Sequence, residues 1–326
     1  MRIKHNLSLL IALFILSTGT KAQENPDFKL ASNGVTCLCS NANFGDTGTL
    51  TINGEQKTFK KRSKAQLDAI IYNDINDPQI PLTCTSGITR MNLMFSGRFN
   101  TPTSFNQSLK HWDVSNVTEM EGMFAFTSSF DQPLNNWDVS SVTDMNRMFD
   151  GATAFNSDIS TWDVSNVTDM RYMFQSASAF NSDISAWDVS SVTDMYRIFY
   201  DASAFNSSIS DWDVSNVTNM REMFNDASAF NSDISAWNVS NVTNMKYMFN
   251  DASAFNSDIS GWDTSNVTYM DYMFRSASVF NQDISSWCVE QIADEPVDFA
   301  TNSPLQADFF PDWGKRCGKA SEKQSE

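Results

Sequence analysis

A tryptophan returns every 25 residues in this chain, at Trp112, Trp137, Trp162, Trp187, Trp212, Trp237, Trp262 and Trp287. Each stands seven residues after a phenylalanine (Phe105, Phe130, Phe155, Phe180, Phe205, Phe230, Phe255, Phe280), and all but the last stand eight before a methionine, Met120 through Met270. A fixed period of this length marks units that cannot bury an apolar face alone and must stack. The register carries no insertion between Phe105 and Trp287, so in this segment length counts coils rather than globular cores.

Counting the phenylalanine as position 0, apolar residues fall at positions 4, 7, 9, 12, 15, 18 and 19, as in Ile184, Trp187, Val189, Val192, Met195, Ile198 and Phe199. Steps near two around Trp and Val predict a short strand. Steps of three and four from Val192 to Phe199 predict a short helical or 3-10 turn, with Thr193 as its N-cap. Coils whose strands pair would lie about 4.8 Å apart, making a rod roughly 40 Å long. Asn156, Asn181, Asn206, Asn231, Asn256 and Asn281, at position 1, are expected to bond turn backbone as a ladder. The fold class is therefore a repeat solenoid with a cap at each end.

The ends divide by composition. Residues 1–22 have a basic start (Arg2, Lys4), an apolar run from Leu7 to Leu16 and a small-residue exit at Ala22, the layout of a signal peptide and too short for a membrane span. Residues 23–86 form the N-terminal cap, with a strand expected at Gly48–Gly54 and a helix from Ser63, as N-cap, to Ile71. The repeat array occupies 87–287. It begins with a degenerate coil, Ile88–Phe95, that matches Val117–Phe124 and is followed by a four-residue excess around Gly97–Pro102. Residues 288–317 are the C-terminal cap, and 318–326 are expected to be a disordered tail.

The formal charge is −17, and removing Arg2, Lys4 and Lys21 with the leader takes it to −20. Between Phe105 and Trp287 there are 24 acidic residues against 7 Lys or Arg, whereas Lys57, Lys60, Lys61, Arg62 and Lys64 crowd one segment ahead of the array. Such a surface excludes nucleic acid as a partner and keeps an exported rod soluble. All five cysteines (Cys37, Cys39, Cys84, Cys288, Cys317) lie outside the repeat interior. Proximity in sequence pairs Cys288 with Cys317, and Cys84 with either Cys37 or Cys39.

The unit Asp-Ile-Ser-x-Trp-Asp-Val-Ser-x-Val-Thr-x-Met-x-x-Met-Phe resembles the repeat of the BspA-like leucine-rich-repeat surface proteins of bacteria, and the resemblance runs from 87 to about 317. The endings Trp287-Cys288-Val289 and Trp313-Gly-Lys-Arg-Cys317 are similar to that family's, as is the lead-in Cys39-Ser-Asn-Ala-Asn-Phe-Gly-Asp-Thr-Gly48 with Cys84-Thr-Ser-Gly-Ile88. The resemblance implies that Cys39 pairs with Cys84 and leaves Cys37 over. It further implies a leucine-rich-repeat-like fold and a secreted or cell-surface binding or adhesion protein, with an extracellular protein or glycan as partner.

Catalytic motifs are sparse. His111 is the one histidine beyond the leader, and phosphate loops, dinucleotide fingerprints and His-Glu-x-x-His are missing. No enzyme and no cofactor are expected. Two acidic rows bear on calcium: position 3 (Asp158, Asp183, Asp233, Asp258, Asp283) and position 8 (Asp113, Asp138, Asp163, Asp188, Asp213, Asp263). Each Asp is expected to bond turn amides, with shared calcium in a structural or matrix protein as the alternative. The units differ most at positions 6, 14, 16, 17, 20 and 21. There lie Tyr172, Tyr196, Tyr200, Tyr247, Tyr269 and Tyr272 with Arg171, Arg197 and Arg221, residue types that dominate interfaces, and this flank is the candidate ligand-binding site.

Overall fold

The computed structural model describes residues 25–317. The leader and tail expected at 1–22 and 318–326 lie outside the described residues.

The N-terminal segment forms two small sheets and a helix. Strands β1 (Lys29–Leu30) and β2 (Cys37–Leu38) pair antiparallel. β3 (Thr47–Ile52) and β4 (Glu55–Lys61) make a hairpin turned at Asn53-Gly54, both with positive φ, and β5 (Thr83–Cys84) joins β4 in parallel. Helix α1 (Lys64–Asn73) starts at Ser63 with a complete capping box to Gln66 and buries Leu67 against the first coil. Disulfides join Cys39 to Cys84 and Cys288 to Cys317, while Cys37 is a buried free thiol.

From residue 88 onward the chain is a stack of tandem 25-residue repeats in which like residues form buried columns. From Phe105 to Trp287 the Phe at position 0, the Trp at position 7 and the Met at position 15 are all at most 4% exposed. The Phe column at position 19 (Phe124 to Phe274) repeats at 5.6–5.8 Å between ring centroids. The column at position 0 repeats at 5.6–6.2 Å. Three Trp pairs stand 6.2–6.5 Å apart. All these ring planes lie within 11° of parallel, so the centroid spacing reports the local step between coils. At position 14 the coils are joined by parallel bridges such as Asp144↔Asp169 and Asn219↔Asn244, where strand pairing sets a step of about 4.8 Å. The step thus widens from position 14 through the phenylalanines to the tryptophans, and the coils fan out with position 14 on the narrow side.

That gradient decides how coils are tied together. On the narrow side backbone reaches backbone: the amides of positions 15, 17, 19 and 21 donate to the carbonyls of positions 14, 16, 18 and 20 in the next coil. Met145 to Asp169, Arg147 to Arg171, Phe149 to Met173 and Gly151 to Gln175 are one such set, at 2.7–3.0 Å. Positions 17 and 21 are left-handed in coil after coil, with φ from 52° to 67° at Arg147, Gly151, Tyr172, Ser176, Arg197 and Asp201. Outside glycine this conformation is disfavoured, by roughly 1–2 kcal/mol, and here it turns the amide toward the next coil.

On the wide side side chains bridge the gap. From Trp137 to Trp287 each indole Nε1 donates to the position-4 carbonyl of the preceding coil, as Trp187 does to Ile159 at 3.2 Å and Trp212 to Ile184 at 3.0 Å, while Trp112 donates to Ile80 of the cap. The Asn ladder bonds between coils: the amides of Asn181, Asn206, Asn231, Asn256 and Asn281 donate to the preceding Asn side-chain oxygen at 2.7–2.9 Å. Asn166, Asn216, Asn241 and Asn266 reach back to a serine carbonyl at 2.7–2.9 Å.

Three local expectations are corrected. No strand is formed around Trp and Val; the pairing between coils is a single bridge residue at position 14, inside the segment predicted as a helical or 3-10 turn, which is a run of hydrogen-bonded turns, and the one 3-10 segment described, Ala307–Phe309, follows the array. Alternate amides there donate forward to the next coil and cannot close a helix on their own chain. Thr193, expected as an N-cap, instead belongs to a threonine column. Its carbonyl accepts the amide and hydroxyl of Thr218 at 2.9 and 3.2 Å.

The first coil carries its excess as a short loop closed by Arg98 and Thr101, and the last accommodates one extra residue, since Tyr272 donates to Val297. Phe299, Leu305, Phe309, Phe310 and Trp313 close the apolar columns beyond Trp287.

Candidate functional site

Positions 16, 17 and 20 project from the narrow side, where backbone already ties the coils, and their side chains gather into two aromatic–cationic groups. In the first, the Arg147 guanidinium lies 4.0 Å from the Tyr172 ring centroid, and Tyr172 meets Tyr196 edge to face at 5.0 Å. Arg197 lies 5.2 Å from the Tyr196 ring and 4.7 Å from that of Tyr200, and Arg221 lies 5.4 Å from the Tyr196 ring. Glu222 is almost wholly buried between the two arginines, accepting from Arg197 Nε at 2.6 Å and Arg221 Nε at 2.8 Å. Desolvation and then the Glu222 carboxylate raise the pKa of Tyr196; desolvation and then Asp226 raise that of Tyr200. Both phenols stay neutral donors at physiological pH. The Arg197 guanidinium is partly desolvated, yet Glu222 holds its pKa above the ordinary value.

The second group is smaller. Tyr247 and Tyr272 stack with centroids 4.4 Å apart, Lys246 lies 5.6 and 5.7 Å from their rings, and Lys246 Nζ is 3.1 Å from Asp271. Arg171 folds onto Asp169 within its own turn, with Nε 3.0 Å from the carboxylate. Tyr269 stands alone on the bridge row, 58% exposed. The predicted set therefore separates: Tyr172, Tyr196, Tyr200, Arg197 and Arg221 come together, Tyr247 and Tyr272 form a neighbouring pair, and Tyr269 and Arg171 join neither.

Sequence reasoning missed the buried acids under this flank. Besides Glu222, Asp150 is fully buried beneath Arg147 Nη1 (2.8 Å) and Gln175 Nε2 (3.0 Å), its pKa raised by desolvation that Arg147 only partly offsets. Their signal was available, because each acid sits one to three residues from an arginine or one period from it. At position 21, Asp201, Asp226 and Asp251 form a third acidic row, and burial, then Asp251 and Asp201, raise the pKa of Asp226.

The two acidic rows identified in the sequence have bonding partners. At position 3, Asp158, Asp183, Asp233, Asp258 and Asp283 accept from the serine amide two residues on at 2.9–3.0 Å. At position 8, Asp138, Asp163, Asp188, Asp213 and Asp263 do the same at 3.0–3.2 Å. Serine bonds hold the Asp158, Asp163, Asp183 and Asp213 carboxyls below the usual range. His111, in the first full coil, is buried against the N-terminal cap, with Nδ1 2.8 Å from the Val35 carbonyl and its ring edge-on to Phe59. Burial lowers its pKa. No helix among the described residues is long and apolar enough to cross a membrane.

No curated protein and no solved structure matches this chain. A family match covers most of it in three overlapping stretches, residues 71–162, 134–228 and 205–313, which span the last part of α1, the whole array and the closing segment. Successive matches over one continuous stack are what tandem repetition produces, and the chain belongs to the family described as "Mycoplasma protein of unknown function, DUF285".

Proposed function

We propose that the array is a leucine-rich-repeat-like solenoid of the BspA-like kind, exported to the medium or the cell surface, and that it recognises an extracellular protein or glycan without catalysis. The curvature supports the fold reading: a parallel bridge row on the narrow side and a wide side held by side chains are the geometry such a solenoid requires. The functional reading rests on one observation. Tyr172, Tyr196, Tyr200, Arg197 and Arg221 are grouped on a face where backbone hydrogen bonds already join adjacent coils. Rings braced by arginines, and arginines braced by buried acids, are held in place before a ligand arrives, which lowers the ordering cost of binding.

The test is retention of the chain on an arrayed panel of extracellular proteins and glycans, compared with a variant carrying Tyr172→Ala, Tyr196→Ala and Tyr247→Ala. Binding should fall at least tenfold while the circular-dichroism melt stays cooperative; a folded variant that binds as before dismisses the flank. A calcium-dependent structural role is the second reading. It has support in the Asp201, Asp226 and Asp251 row, whose repulsion a cation would relieve, and a melting temperature indifferent to chelator would remove it.

A further inference from the structure

The backbone ladder on the narrow side runs in one direction, so its two ends are chemically opposite. In the first coil the carbonyls of Asn92, Met94 and Ser96 occupy positions 16, 18 and 20, and among the described residues no donor reaches them. In the last coil Asp298, Ala300 and Asn302 occupy positions 17, 19 and 21, with Asp298 and Asn302 left-handed like their counterparts, and their amides have no acceptor among the described residues. Inside the array those positions are the ones that bond: 17 to 16, 19 to 18 and 21 to 20. Three unmet donors at one end therefore match three unmet acceptors at the other in spacing and register. The fourth place in the series is silent, since position 15 of the last coil is Pro296, which has no amide hydrogen.

Both ends are open and unlike in charge. At the N-terminal end the carbonyl edge borders a cleft of about 390 Å³ between α1 and the first coil, lined by Ile71, Tyr72, Ile75, Leu93, Met94 and their neighbours. Tyr72 is 91% exposed there, and Phe99, in the loop just beyond that edge, is 81% exposed. At the other end Val297 is 58% exposed. Residues 288–312 carry Glu290, Asp294, Glu295, Asp298, Asp308 and Asp312 with no Lys, Arg or His, while Lys60 and Arg98 are exposed at the N-terminal end, where Arg90 is paired with Glu119 and Lys64 with Asp68.

We propose that copies of this chain associate head to tail, residues 296–302 of one copy seating in the cleft along Asn92–Ser96 of the next and continuing the ladder between molecules. A second copy is the occupant that supplies matched hydrogen-bond polarity, register and opposite charge together. Because the two surfaces differ, the contact does not close on itself and leads to open chains rather than symmetric dimers.

The test is a site-directed cross-link in the full chain. Position 20 side chains of adjacent coils touch, as Asn225 and Asn250 do at 2.9 Å, so Ser96→Cys in one preparation and Thr301→Cys in another should form a disulfide-linked dimer only when mixed under oxidising conditions. Sedimentation of the unmodified chain should show mass rising with concentration at low salt. The triple variant Glu290→Lys, Asp294→Lys, Glu295→Lys should weaken association at least tenfold with an unchanged melting temperature. Dimers formed by either cysteine variant alone, a chain monomeric at every concentration and salt, or an unrelated peptide captured by a monomeric chain would each overturn the proposal.

Discussion

The two sides of each coil solve the same problem differently. On the narrow side adjacent backbones lie within bonding distance, so amides and carbonyls join the coils whatever side chain is present. On the wide side the step exceeds 6 Å at the tryptophans, and the connection falls to particular side chains: the indole N–H, the position-1 asparagine and the asparagine or serine at position 11. This difference explains the pattern within the repeat. Positions 1 and 7 are nearly constant because their chemistry is the joint, and positions 14, 16, 17, 20 and 21 vary because theirs is not. Variation is thus concentrated where a binding surface can be changed without loosening the stack.

The sharpest way to break this comparison is at the wide side's deepest member. Trp187→Ala should cost about 3–5 kcal/mol in urea unfolding, since it empties a core site and leaves the Ile159 carbonyl without its donor. A loss below about 1 kcal/mol would show that the columns do not hold the array. Next, Asn206→Ala should cost about 1 kcal/mol because the Asn231 amide loses its acceptor. On the narrow side Tyr196→Ala should leave the inter-coil bonds intact and change stability less; a larger loss at Tyr196 would reverse the assignment of sides.

The smallest effect sharpens the account of the narrow side. Burial and two neighbouring carboxylates raise the Asp226 pKa, so its stabilising contribution is complete below the unfolded carboxylate pKa and is lost as pH rises through the folded one. At pH 7 the charged group opposes folding, and Asp226→Asn should gain roughly 0.2–1 kcal/mol. Thermal melts at pH 7 and pH 4 check the sign: the advantage of the variant should shrink on acidification, and an advantage that grows would refute it.

Much of this was legible in the sequence because the repeat displays its own constraints eight times. The columns, the Asn ladder, Ser63 as a cap and the Asp–Ser turns followed from spacing and residue chemistry alone. The forward bonding of positions 15 to 21 did not. Apolar steps of three and four suit a helical turn equally well, and nothing in Arg147, Tyr172 or Arg197 signals a positive φ, which glycine announces only at Gly122 and Gly151. The candidate site was legible in composition but not in grouping. Tyr269 shares a residue type with Tyr272 yet belongs to the bridge row, and the acids that stand near arginines in sequence are buried beneath them only by the stacking of the coils.

Each rung offers its successor the donors and acceptors it received from its predecessor. Excising or duplicating one whole period, such as residues 181–205, would join surfaces that already fit. Genes of this construction can therefore lengthen or shorten by unequal recombination at little structural cost, whereas a change of one or two codons inside a rung has to be absorbed locally, as the extra residues of the first and last coils are. Molecular length becomes a trait that selection can adjust in steps of a single period.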